Sequence, residues 1–462
     1  MWYEIFKFEL KYRVKRPETY VFFVFLFLFS IVGTDFIFQG VELGLVKRNA
    51  PLVIAKSMGA ITGIFMIIAS MVMGVPVLRD FQYNTASLLF VNPVSKLDYL
   101  LGRFLGSFAT LLFIFSGVLF GMMLGELMPW LNPDELLAFN GLAYVQTFAM
   151  VTLPILFFGA ALFFVSGALS RKLIVVYTQG VIFFVLFMLT KAIKNEFLQA
   201  ILDPFSLTTL TAAAKGWTVA ERSSLLIPFE GVFLYNKLFW TALGIIFLIV
   251  GYRKFDLSIV TDKATAKLKR NDKSTINKVS KANYPIPNID LKYDFKSQWI
   301  QLLKLTVFYC RSLLKTTSFW AIVICGMIII LINSVNLGTV HGVDSYPTTY
   351  FIVEELQETS VYFFMIILMF YSGELIWKER DVNLSLIYDA TSVGNFTTVA
   401  SKFIALIVIY IVLMLSLILS GVLFQAMNGY YHFDFKVYFF GFFVEILPFL
   451  VLYTFIAFFF QV

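Results

Sequence analysis

The sequence is poor in charged residues. They make up 14% of its 462 positions, whereas a soluble domain carries about 25%. Hydrophobic residues account for 59% of the chain, and phenylalanine alone fills 54 positions. Phenylalanine suits helix surfaces that face lipid, because it is large, apolar and has no polar group to satisfy. The composition therefore predicts a protein that crosses a membrane several times.

Residues that build metal sites, disulfides and common catalytic sites are also scarce. Two Cys and two His are too few for a disulfide framework or a metal cluster. No glycine is followed by lysine, which excludes a GxxxxGK[ST] phosphate loop, and neither HExxH nor Gly-x-Ser-x-Gly occurs. We expect no enzyme site, cofactor site or metal site in these residues. The net charge of +7 is attributed to membrane topology and not to nucleic-acid binding.

Long apolar runs are abundant. About 20 apolar residues cross a bilayer as a helix, and barrel strands would instead alternate polar and apolar residues. The sequence therefore predicts an all-α polytopic bundle with ten spans, at 20–39, 52–78, 104–128, 142–169, 173–190, 232–251, 319–338, 357–377, 403–427 and 437–462. With the N-terminus inside, most of the 36 lysines and arginines fall in the inner loops, which predicts a cytoplasmic N-terminus.

A basic, polar stretch divides the ten runs into six and four. Residues 252–290 hold few large apolar side chains, so they are predicted to form a cytoplasmic linker. A first six-span half (1–251) precedes the linker, and a second half (291–462) with four spans follows. Each half is predicted to begin with an amphipathic, basic helix at the membrane interface. Because the second half lacks two spans, we expect the natural protein to continue through at least two more.

The two halves resemble each other when shifted by 299 residues. Phe319 then falls on Tyr20, and Lys402 on Arg103. "LPILFFGAALFF" at 153–164 meets "LPFLVLYTFIAFF" at 447–459 after a small change of register. The coincidence of span starts, loop lengths and Leu-Pro positions indicates an internal repeat of parallel topology.

Each half has a polar segment between its second and third spans, at 79–103 and 378–402. In the first copy Asn84 or Thr85 is predicted to cap a short helix, "ASLLFV", and Ser95 with Asp98 to cap the third span. In the second copy Asn383 precedes "LSLIYDA". An apolar ridge that faces the cytosol indicates a partner. A helix lying on lipid headgroups is the alternative, but two equivalent copies favour a two-fold partner.

These segments resemble a loop in the membrane subunits of ABC-2 type ABC exporters. The shared features are Arg79–Asp80, the short helix, "PVS" at 93–95 and "GRF" at 102–104. The second copy keeps Glu379–Arg380 and "SKF" at 401–403, but has "TSV" where the first has "NPV". The resemblance implies that the loops are coupling helices that dock on a separate ATPase.

A second resemblance lies in the stretch 203–240. It is similar to large ABC permeases that carry a C-terminal aminopeptidase-N-like zinc peptidase. The matching residues are Asp203–Phe205, Trp217–Thr218, Glu221–Arg222 and Asn236–Leu238. This resemblance implies that a peptidase domain follows residue 462 in the natural protein.

Together the resemblances imply a permease of an exporter in the bacterial inner membrane, with both halves in one chain. ATP and Mg would be bound by a partner ATPase dimer, and lipid would surround the spans. A secondary transporter and a non-transporting scaffold for a peptidase or another partner remain as alternatives. The residues expected to dock the ATPase are Arg79, Asp80, Leu88, Leu89, Lys378, Glu379, Arg380, Leu386 and Ile387.

Few charges fall inside the predicted spans. Asp35, Lys56, Glu126 and Lys237 lie near outer span ends, where their side chains are expected to reach water. Glu445 is the deepest and is the intramembrane polar candidate. We expect it to pair with another helix, with an outward-facing cavity as the alternative.

Overall fold

The structure is a computed structural model. It describes residues 1–39, 46–83, 85, 89, 94–171, 175–176, 179–180, 183, 186–187, 189–190, 193, 195–256, 295–316, 319–320, 323–324, 327, 339–340, 343–344, 347–381, 384–391 and 393–461. Half of the predicted span 173–190, most of the predicted span 319–338 and most of the predicted linker therefore lie outside the described residues.

The first part of the chain, up to residue 254, is helical. Its elements are α1 (Trp2–Val14), α2 (Pro17–Gln39), α3 (Pro51–Ile64), α4 (Met66–Gln82), α5 (Lys96–Gly125), a 3-10 turn (Pro133–Glu135), α6 (Gly141–Thr147), a π-helix (Phe148–Thr152), α7 (Leu153–Ser170), α8 (Glu196–Leu202), α9 (Leu207–Ala213), α10 (Val219–Ser224) and α11 (Gly231–Lys254).

The second part repeats much of this order. Its elements are α12 (Phe295–Leu314), two paired two-residue strands (Thr339–Val340 and Val343–Asp344), α13 (Thr349–Asp381), α14 (Ser385–Asp389), α15 (Asn395–Met427), α16 (Phe435–Phe439), a π-helix (Phe440–Ile446) and α17 (Leu447–Gln461).

The protein is a helical membrane protein. Seven stretches of the described chain are long and apolar enough to cross a membrane, and the bent pair α3–α4 would be an eighth. These eight coincide with eight of the ten predicted runs. Three helices begin about eight residues before their apolar runs at 104, 357 and 403, because each continues into the neighbouring polar segment.

The predicted span 52–78 is not one straight helix. α3 and α4 meet at an angle of 51°. The break falls at Phe65, which has non-helical backbone angles (φ −90°, ψ 15°) and whose ring packs edge-on against Phe25 and Phe29. Periodicity could not reveal this break, because the apolar pattern continues through it.

Close helix contacts depend on glycines. A Cβ atom at Gly121 would lie 2.5 Å from the carbonyl oxygen of Phe27, and one at Gly59 would lie 2.7 Å from that of Phe205. Both positions therefore allow one helix or loop to approach another closely.

The Leu-Pro pairs that align in the two halves follow the same local distortion. A π-helical segment, 148–152 or 440–446, directly precedes Leu153–Pro154 or Leu447–Pro448. Proline has no backbone N–H and disturbs the regular hydrogen bonds of the preceding turn. The matched position in sequence thus corresponds to a matched structural feature.

Two separate hydrophobic cores lie on either side of the linker. The first is formed by buried residues between Leu26 and Phe255, and the second by buried residues between Tyr309 and Phe458. Ile67 and Leu189 from the first part also pack against the second core.

Candidate functional site

The first loop begins and ends on a buried ion pair. Asp80 lies in the last turn of α4 and Arg103 in the second turn of α5, and both are buried. Arg103 Nη2 donates to the two carboxylate oxygens of Asp80 at 2.9 and 2.8 Å. The Tyr99 hydroxyl donates to Asp80 Oδ2 at 2.6 Å. These bonds fix the helix ends on both sides of the loop to each other.

Glu9 of α1 joins this pair to the N-terminal helix. Its carboxylate is fully buried and accepts from Arg13 Nε at 3.1 Å, from Arg79 Nη2 at 2.8 Å and from Arg103 Nη1. Burial alone would raise the pKa of the Glu9 carboxyl, but Arg103, Arg79 and Arg13 together hold that pKa below its ordinary value. We call Glu9, Arg13, Arg79, Asp80 and Arg103 the ion cluster.

Local sequence places α1 against α5. Ser95 caps α5 as predicted, because its hydroxyl accepts from Asp98 N at 3.1 Å and donates to the Asp98 carboxylate at 2.7 Å. Trp2 N also donates to Asp98 Oδ1, at 3.0 Å. A Cβ at Gly102 would lie 2.7 Å from Ile5 Cβ, so only glycine allows α1 to approach closely enough for Glu9 to reach Arg103.

The second loop has an equivalent pair. Lys402 Nζ donates to Glu379 Oε2 at 2.6 Å, and these residues lie 299 positions after Arg103 and Asp80. Tyr309 of α12 donates to Glu379 Oε1 at 2.8 Å, so here too the preceding interfacial helix is tied to the pair. Lys378, the counterpart of Arg79, donates to Ser312 on the same helix. Burial raises the pKa of the Tyr309 hydroxyl, which therefore remains a donor.

A second polar contact recurs at the opposite ends of the spans. In the first part Asn49 Nδ2 donates to Glu126 Oε1 at 2.6 Å, and the Tyr144 hydroxyl donates to Glu126 Oε2. In the second part Gln425 takes the place of Glu126. It accepts from the Tyr438 hydroxyl at 2.8 Å and donates to Thr349 Oγ1 at 3.1 Å.

Sequence reasoning missed this recurrence. Glu126 and Gln425 are separated by the same 299 positions as the ion pairs. Tyr144 and Tyr438 are separated by the 294 positions that relate the Leu-Pro pairs. The matches of Glu126 with Gln425 and of Tyr144 with Tyr438 could have indicated the recurrence. They were not recognised because the neighbouring apolar residues of two spans align by chance.

The predicted apolar ridges are only partly described. Leu386 and Ile387 lie on α14 with 85% and 69% of their surfaces exposed. Leu89 is half-buried and packs against the first core, while Leu88 lies outside the described residues. Arg380 is exposed at the end of α13, with its guanidinium 4.7 Å from the ring centroid of Trp377. Docking of an ATPase on these residues stays a prediction.

The expectation that the charges near outer span ends reach water was wrong for three of them. Lys56, Glu126 and Lys237 are buried in protein, because helices and loops outside the spans cover them. Lys237 Nζ donates to Ser206 Oγ at 2.5 Å. Asp35 forms an ion pair with Arg48. For Glu445, Gln357 Nε2 of α13 donates to its Oε2 at 2.8 Å, which confirms the expected pairing with another helix.

The stretch 203–240 uses its signature residues to hold the loop on α11. Asn236 Nδ2 donates to the carbonyl oxygens of Ala200, Ile201 and Asp203 at 2.8 to 3.0 Å. The Asp203 carboxylate accepts from Phe205 N at 2.9 Å. Ser206 has a left-handed backbone (φ 64°) that this network supports. These contacts assign the signature a structural role.

Comparisons with known proteins identify no relative of this chain. No family model, no curated protein and no solved structure matches this chain. Within the described ranges, His, Cys, Asp and Glu do not form a group of three or more that could hold a metal ion.

Proposed function

We propose that this chain is the membrane permease of an exporter, built from two copies of a six-span unit, of which the second has four spans in this sequence, and driven by a separate ATPase dimer. The observation that carries the proposal is the recurrence of the ion pair. Asp80–Arg103 and Glu379–Lys402 each join the two helix ends that flank a loop, at equivalent positions of the repeat. The ATPase would supply ATP and Mg binding, and the N-terminus would face the cytoplasm of a bacterial cell.

The ion pairs suit a loop that transmits force. If the loop between two spans were flexible, a movement of the bound partner would only deform the loop and would not reach the spans. A salt bridge across the base of the loop makes the two helix ends and the preceding interfacial helix move together. ATP-driven movement of a bound partner would then tilt whole spans. Buried, hydrogen-bonded ion pairs add geometric definition more than stability.

The exposed pair Leu386 and Ile387 gives the sharpest test. Changing both residues to Asp should leave the protein folded in the membrane, since neither side chain is buried. It should release the ATPase, because an apolar contact that buries two carboxylates loses several kcal/mol. The measurement is the amount of ATPase that co-purifies with the chain in mild detergent.

Leu127→Asp is the matched control. Leu127 is also exposed (63%), but it follows α5 at the end of the span that lies opposite the loop. It should not affect co-purification. Undiminished co-purification with the Leu386→Asp, Ile387→Asp variant would count against docking through these loops.

A scaffold without transport is the second candidate. It is favoured by the simpler second copy, in which two lysines, Lys378 and Lys402, stand where the first copy has three arginines. Reconstituted permease and ATPase discriminate the two. A transporter should change the rate of ATP hydrolysis of its ATPase, whereas a scaffold should leave it unchanged.

A further inference from the structure

A cavity of about 530 Å³ opens beside the ion cluster. Its size lies within the range of about 300–1,000 Å³ that is usual for small-molecule sites. The walls come from α1, the last turn of α4, described residues of the loop that follows it and the first turns of α5. The cavity therefore lies where these helices end. Arg79, Asp80 and Arg103 line one side. The other side is largely apolar and includes Ile5, Phe8, Leu89 and Val94.

The buried charges beside the cavity do not balance. Three arginines of the ion cluster share two carboxylates, which leaves one positive charge in excess. At the mouth, exposed Glu4 lines the cavity, and Arg16 reaches the hydroxyl of Tyr12, another lining residue. Exposed Glu18 also interacts with Arg13 and Arg16. Water screens these exposed charges, so the excess inside the buried cluster remains. A buried charge without a counter-charge is costly, so an anion in the cavity would stabilise the cluster.

Arg79 offers the free donor for that anion. Only 7% of its surface is exposed, and its Nη2 is bonded to Glu9. Its Nη1 is buried and meets no acceptor among the described residues. The guanidinium lies 3.9 Å from the ring centroid of Tyr12. Arg79 is thus a cavity-lining residue whose guanidinium keeps one buried donor that no described residue accepts from.

We propose that this cavity binds one anionic phospholipid, whose phosphate accepts from Arg79 and whose acyl chain lies along Ile5, Phe8 and Val94. A guanidinium donor matches a phosphate oxygen in charge and geometry. The apolar wall and the position at the helix ends favour a lipid over a soluble anion. The site shares Arg79, Asp80 and Leu89 with the predicted docking loop, but lipid binding goes beyond the proposed transport function and is tested without the ATPase.

The test is native mass spectrometry of the full chain. Delipidated protein in detergent is incubated with phosphatidylglycerol, phosphatidylcholine or inorganic phosphate. The complex is then freed from the micelle in the spectrometer, and the bound molecules that remain are counted as the collision energy rises. One tightly held phosphatidylglycerol is expected, with no equivalent retention of phosphatidylcholine. Arg79→Gln should lower that retention by at least about tenfold, since a charge-assisted hydrogen bond contributes about 1.5–3 kcal/mol.

Two further variants make the result specific. Lys378→Gln removes the equivalent cation of the second copy and should leave retention unchanged. Val94→Trp keeps every arginine, fills the apolar side of the cavity and should release the lipid, so the proposal does not depend on the folding of Arg79→Gln alone. Equal retention in wild type and both cavity variants would overturn the proposal. Equal retention of phosphatidylcholine, or displacement of the lipid by millimolar phosphate, would overturn it too.

Discussion

Glu9 is the carboxylate on which three arginines converge, so its replacement tests the ion cluster at the scale of one residue. Glu9→Gln leaves Arg13, Arg79 and Arg103 with one carboxylate, Asp80. Removing one partner from a buried pair costs about 3–5 kcal/mol. We expect a loss of that size in the free energy of unfolding in mixed micelles. Glu4→Gln, an exposed change on the same helix, is the control and should cost less than about 0.5 kcal/mol.

The stabilisation that Glu9 provides should depend on pH. The pKa of Glu9 is lower in the folded chain than its ordinary value of 4.5. Its stabilising contribution is therefore complete above the ordinary value and is lost as the pH falls through the folded pKa. The stability difference between wild type and Glu9→Gln should be constant from pH 7 to about 5 and should shrink below about pH 4. A difference that keeps its full size at pH 3 would contradict this assignment.

Residue patterns singled out part of the cluster but not its role. Arg79 and Asp80 were predicted to dock an ATPase and Arg103 to match Lys402, whereas the structure buries all three in one ion cluster. Glu9 was missed, because a Glu followed by an Arg four residues later is typical of an exposed helix face. Nothing in the local sequence of α1 shows that this face turns toward α5. The buried positions of Lys56 and Lys237 were missed for a related reason, since the segments that cover them are distant in sequence.

At the scale of elements, the packing of α2 on α5 depends on Gly121. A Cβ atom there would lie 2.5 Å from the carbonyl oxygen of Phe27, so Gly121→Ala must force the two helices apart. Overpacking of this kind costs about 1–3 kcal/mol. Gly216→Ala is the control, because nothing lies within 4 Å of a Cβ at that position. The free energies of unfolding of the two variants are measured in mixed micelles. Equal values would show that α2 and α5 are not packed as closely as the structure indicates.

Element positions were better predicted than element ends and bends. Apolar runs located eight spans, because about 20 apolar residues fill the bilayer regardless of their neighbours. The starts of α5, α13 and α15 lie in polar sequence, where the apolar pattern gives no signal; of the three, the start of α5 was predicted from its cap, Ser95. The break between α3 and α4 depends on the contacts of Phe65 with α2, which hydropathy does not report.

At the scale of the whole molecule, the repeat links the proposals. The ion pairs near one end of the spans and the tyrosine contacts near the other recur with the spacings that align the sequence. The two copies differ where the first has Glu9 and three arginines and the second has Tyr309 and two lysines, of which only Lys402 pairs with Glu379. We therefore expect the first loop to be held more firmly than the second, while both present apolar side chains to one partner.

The most direct test of this account is photo-crosslinking from the two loops. A photoreactive amino acid is placed at Leu89, at Leu386 and, as a control, at Leu127, and the chain is irradiated in its native membrane. The account predicts that Leu89 and Leu386 both crosslink to one kind of polypeptide, which mass spectrometry identifies as an ATPase with a phosphate-binding loop, and that Leu127 does not. Crosslinks from both loops to lipid alone, with no ATPase from either position, would contradict it.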